Sequence, residues 1–140
     1  MRIDFDIQGA AEMERLLLEL GPAVASRVGD QALVAAAKPI MEEMRRTVPI
    51  GKGQGPHLRD SIKVAVVKQA DGPERIALIG FDRKVSFRAH FLEFGTAHSS
   101  AKPFMRPALD SKVQEALDEM GKALARGITR EAKKLAKPAR

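Results

Sequence analysis

The sequence predicts an α+β domain, in which one antiparallel sheet is packed by helices on one face in the order β-α-α-β-β-α-α. Three observations lead there. Apolar residues alternate with period two in two short stretches, around residues 3–7 and 62–66, and a third short apolar run, 76–79, reads as the strand that pairs with the second. Apolar residues recur at helical spacing in four others. Turn signals separate the stretches: Gly9, Gly21-Pro22, Asp71-Gly72-Pro73 and Gly95. The 140 residues fit one domain, and no internal repeat divides them.

Residues 2–7 put Ile3, Phe5 and Ile7 on one side and Asp4 and Asp6 on the other, the pattern of a strand with one buried face. Residues 10–20 carry Met13, Leu16, Leu17 and Leu20, a short amphipathic helix. A longer helix is expected from Asp30, as its N-cap, to Val48, with a stripe of Leu33, Val34, Ala37, Ile40, Met41, Met44 and Val48. Pro39 lies inside it and removes a backbone donor. The stripe keeps phase across Pro39, which favours a kink over a break. Pro49 to Pro56 is a loop rich in Gly and Pro. Residues 61–80 read as an antiparallel hairpin around Asp71-Gly72-Pro73. Phe87, Phe91 and Phe94 fall on one face of a third helix, with His90 beside them, and Gly95 suits a left-handed helix exit. The last helix is expected from about Pro107, along Leu109, Val113, Leu117, Met120, Leu124 and Ile128. Residues 1–125 are expected to form the domain and 126–140 a basic tail, with the helix fraying beyond Gly127.

Composition excludes several chemistries. There is no cysteine, so neither disulfides nor thiolate metal sites can form. No apolar run is long enough for a membrane span. The first residues lack an apolar signal core, so export by that route is not expected. Trp and Tyr are absent, which weakens a single-strand nucleic-acid reading based on aromatic stacking. Charge is uneven. From Lys122 onward, seven basic residues (Lys122, Arg126, Arg130, Lys133, Lys134, Lys137, Arg140) stand against the single acid Glu131. That stretch alone equals the +6 of the whole chain, so residues 1–121 balance at zero. Such a tail can meet phosphates or an acidic neighbour, or be a solvated helix end whose cations suit the helix dipole.

No catalytic constellation emerges. His57, His90 and His98 are the only histidines, and His90-x-x-Glu93 lacks the spacing of a two-histidine zinc helix. Ser61, Ser99 and Ser100 sit in no nucleophile elbow. Gly51-Lys52-Gly53-Gln54-Gly55 is followed by Pro56-His57-Leu58 instead of the Ser/Thr and helix that a phosphate loop requires. No catalytic residue, metal or cofactor is expected.

The specific stretch is Ala89 to Leu109, with Glu93-Phe94-Gly95-Thr96, a short loop, then Pro103-Phe104-Met105-Arg106-Pro107-Ala108. It resembles the hallmark of the neck and tail-completion, or minor tail-component, family of long-tailed double-stranded DNA phages. Pro49, the glycine loop and Leu58-Arg59-Asp60-Ser61-Ile62 resemble a second element of that family, although the loop here is lengthened by residues 51–56. The resemblance spans roughly residues 30–125. It implies a non-catalytic assembly protein of the head–tail junction. It also implies a homo-oligomeric ring, with a hexamer expected, between neck and tail-tube proteins and around passing DNA that is not read for sequence. Its location would be the virion, and the host cytoplasm during assembly, with no membrane partner. Within the motif, Glu93 and Arg106 are expected to pair and hold the loop. Phe104 and Met105 are expected in the core or at a subunit contact. Two other readings stay open: a free basic DNA-binding protein, and a small hydrolase built on the histidines.

Overall fold

A computed structural model describes residues 9–72 and 74–136. The expected strand at 2–7 lies outside the described residues, as do Lys137 and Arg140. The elements that are described follow the order α-α-β-β-α-α: α1 (Ala10–Leu20), α2 (Pro22–Thr47), β1 (Ile62–Lys68), β2 (Arg75–Phe81), α3 (Ser86–Phe94) and α4 (Met105–Ala136). This is an α+β fold.

Gly21, at φ 99°, ends α1 and opens α2, and Pro22 takes the first helical turn, where its missing N–H costs nothing. The expected start at Asp30 is therefore corrected: α2 begins eight residues earlier. Asp30 lies inside the helix and takes a bidentate ion pair from Arg75 at the head of β2. The helix continues through Pro39, which is buried.

α2 and α4 run antiparallel and form the most extensive contact in the molecule. Val28 meets Gly127 near one end, and Met44 shares a cluster with Phe104 and Ala108 near the other. The buried residues of this seam are mostly small: Ala32, Ala36 and Ala37 on α2, Ala108, Ala116 and Gly127 on α4. Small side chains let two helix backbones approach closely. A Cβ on Gly127 would stand 2.7 Å from Val28 Cγ1.

The hairpin is antiparallel, with Ile62 opposite Phe81 and Lys68 opposite Arg75. The Gln69 N–H donates to the Glu74 carbonyl at 2.9 Å and closes the turn. Its inner face, Ile62, Val64, Ile79 and Phe81, packs on the core with Met41, Met44 and Val48. Its outer face carries the cross-strand pairs Ala65–Leu78 and Val67–Ile76, with Val67, Ile76 and Leu78 exposed.

α4 starts at Met105, two residues before the expected Pro107, and runs to Ala136. The expected fraying past Gly127 does not occur within the described residues. Gly127 and Ile128 are buried, and so is Glu131, which receives Arg27 from α2 at 2.7 Å. Packing against α2 holds the last turns where helix propensity alone would not.

Candidate functional site

The motif residues come together around one carboxylate. Leu92 faces the core from α3, and the next residue, Glu93, points at the start of α4. The backbone N–H groups of Phe104 and Met105 donate to one Glu93 oxygen at 2.9 and 3.0 Å, and that of Arg106 donates to the other at 3.0 Å. Glu93 thus supplies from another helix what an N-cap side chain normally supplies locally. It satisfies donors that have no intrahelical partner and places negative charge at the positive end of the helix dipole. Burial pushes its carboxyl up, but the three backbone donors and the charge of Arg106 together hold it below the ordinary carboxylate value. Glu93 and Arg106 do meet, as expected: the Arg106 backbone N–H donates to the carboxylate, and the Arg106 charge also acts on it. The Arg106 guanidinium also approaches Asp110 at 3.7 Å.

The loop between them is tightly closed. Gly95 N–H donates to the Phe91 carbonyl at 2.7 Å and Lys102 N–H to the Leu92 carbonyl at 2.7 Å. Thr96 and Ser99 form an isolated bridge, and Thr96 Oγ1 accepts from the His98 N–H at 3.2 Å. Gly95 has the expected positive φ of 77°, but ψ is 176°, so it is extended and not left-handed helical. A Cβ there would meet the Ala101 nitrogen at 2.9 Å. Backbone conformation and backbone contact both require glycine.

Phe104 is the anchor. It is 1% exposed and stands edge-on to Phe81 at 5.8 Å. Met105 is half-buried against the same core, while Pro103 and Pro107 are exposed. Leu58, Ser61 and Ile62 are buried in and beside a 3-10 turn, Leu58–Ser61, whereas Arg59 is exposed. The second motif element thus seats the base of the hairpin on the same core cluster as Phe104.

α3 turns the face marked by its phenylalanines outward. Phe87, Phe91 and Phe94 are 55%, 48% and 72% exposed, while Val85, Ala89 and Leu92 point inward. His90 lies against Phe94 at 4.9 Å between ring centres. A pocket of about 510 Å³ lies between α3 and the glycine loop, lined by Ile50, Leu58, Phe91 and Leu92 with Arg88 and Lys102. Arg88 donates to the Pro56 carbonyl at 3.1 Å and ties the loop to α3. An apolar groove at the other side of α3 holds Ile40, Met44, Ile79, Phe94 and Met105. The histidines do not converge, and among the described residues no group of His, Asp and Glu is placed to hold a metal ion.

Residues 11–95 match the family model described as "Bacteriophage HK97-gp10, putative tail-component". The chain belongs to this HK97-gp10-like family. The matched residues cover well over half of the chain and include α1, α2, the hairpin, α3 and Glu93 to Gly95. The Pro103–Ala108 half of the motif lies beyond them. Comparison with curated proteins and with solved structures gave no match. A member of the HK97-gp10-like family is a phage structural tail component, and so a part of the virion.

Proposed function

We propose that this tail component acts without catalysis at the head–tail junction, as one subunit of a ring between neck and tail-tube proteins. The supporting observation is the exposed aromatic face of α3. Three phenylalanines at helical spacing, with the apolar outer face of the hairpin as a second such surface, are more than an isolated soluble monomer leaves uncovered. The clasp from Glu93 to Arg106 fixes α3 relative to α4, so this face is presented by a rigid element. Interfaces of lasting assemblies use such aromatic anchors. Six copies, matching tail symmetry, is the expected number.

Electron microscopy of lysates from phage carrying a nonsense mutation in this gene tests the assignment. Filled heads separate from tails, or tails of abnormal length, are the expected result. Normal, joined, infectious particles would overturn it.

A further inference from the structure

The C-terminal half of α4 carries a charge pattern that assembly through apolar faces does not use. Arg126, Arg130, Lys133 and Lys134 lie on one side of the helix, within an arc of about 100° at 100° per residue. Gly127, Glu131 and Ile128 follow next around the helix, from the edge of this stripe to its far side, and are buried. With Ala125 and Thr129, the four cations line a shallow groove that contains no acid and no large apolar residue. The cations are not all loosely held. Glu131, 6% exposed, receives Arg27 at 2.7 Å, Lys134 at 3.4 Å and Arg130 at 3.8 Å, and Arg130 also donates to Gln31 Oε1 at 2.8 Å. No ion pair with a described residue engages Arg126 or Lys133. One buried carboxylate therefore roots the cluster, and a surplus of positive charge remains facing out.

We infer that this stripe is a sequence-independent binding site for the phosphate backbone of duplex DNA. Three features select that ligand. The face lacks the aromatic or aliphatic anchors that give protein interfaces their affinity, so a polyelectrolyte suits it better than a folded acidic partner. It has no aromatic ring on which an unpaired base could stack, which favours duplex over single strand. It also has no Asn or Gln on the stripe for bidentate base recognition, whereas Arg, Lys and the Thr129 hydroxyl all suit phosphate oxygens. The stripe from residue 126 to 134 is about 12 Å long at 1.5 Å per residue, enough to neutralise about three phosphates. The inference holds wherever in the particle the chain sits, so its failure would leave the junction assignment intact.

Fluorescence anisotropy of the full chain with a labelled random-sequence duplex tests it. The expected log–log slope of affinity against salt is about −2.7, so that raising KCl from about 50 to about 200 mM weakens binding roughly 40-fold. A second duplex of unrelated sequence should bind equally. The double substitution R126E/K133E, at two exposed positions, should weaken binding at least tenfold and leave the melting temperature unchanged. Absence of binding at low salt would overturn the inference. So would undiminished binding by R126E/K133E, or affinity for poly-glutamate equal to that for the duplex at matched charge, which would indicate an acidic protein partner instead.

Discussion

Two glycines and one glutamate show how single residues decide this structure. Adding a methyl group at Gly127 brings helix propensity worth about 1 kcal/mol. It also drives a Cβ into Val28, which is β-branched, fully buried and unable to turn away. Overpacking costs typically 1–3 kcal/mol, so Gly127→Ala should be destabilising by about 1 kcal/mol net. In a thermal-melt double-mutant cycle, Val28→Ala should recover part of that loss, because the clash is with Val28 itself. Gly95→Ala meets backbone atoms that cannot move aside and a positive φ, and should cost at least about 2 kcal/mol. Glu93→Ala should cost about 1–2 kcal/mol, the range of a lost helix cap, and Glu93→Gln less, because the amide oxygen still accepts. The pH dependence has a definite sign. The folded carboxyl titrates below the unfolded one, so its contribution is fully present above the unfolded value near 4.3 and fades as pH falls through the folded value. In acid titrations followed by circular dichroism, Glu93→Gln should flatten that limb. An unchanged acid limb would mean that Glu93 does not cap α4 in solution.

Elements were more legible than their orientation. The hairpin, α1 and α3 follow from periodicity and turn residues, because these are local properties. Which face of α3 turns inward does not follow from them. Val85, Ala89 and Leu92 share the spacing of Phe87, Phe91 and Phe94, and the smaller stripe is the buried one. In α2 the expected stripe holds at Ala37, Met41, Met44 and Val48, which are buried, but Val34 is exposed, while the smaller Val28, Ala32 and Ala36, outside that stripe, are buried. Ranking by size finds sticky surfaces, but close helix packing selects small ones. The motif residues were all legible as a motif, and Glu93 and Arg106 as its charged ends. That Glu93 would reach backbone amides could not be read, because it depends on how the loop 95–104 folds back. The outward Phe face carries a prediction at this scale. Phe87→Ser with Phe91→Ser should leave the monomer's melting temperature within about 2 °C, since neither ring fills the core. It should also lower the mass of any self-assembled species in light scattering. A large loss of thermal stability would show instead that these rings support the fold.

At the scale of the whole molecule, the question is whether the basic end is an appendage or part of the body. Composition points to an appendage, with zero net charge up to residue 121 and all the excess beyond it. Packing points the other way. Val28 is fully buried by contact with Gly127, Ile128 is buried in its turn, and Glu131 anchors Arg27 of α2. Removing residues 126–140 would expose Val28 and leave Arg27 without its acid. Losing two buried aliphatic contacts costs about 1.5–3 kcal/mol each. For a chain of this length, each kcal/mol moves the melting temperature by roughly 3–5 °C, so the truncation should lower it by at least about 10 °C. Neutralising the exposed cations instead, with Arg126→Gln and Lys133→Gln, should move it by no more than about 2 °C. If both changes proved equally mild, α4 beyond Gly127 would be a tail after all, and its charge could act only as a tether. If only the truncation destabilises, the positive stripe is carried on a rigid helix built into the same core as the Glu93 clasp, and the charge has a fixed direction relative to the aromatic face of α3.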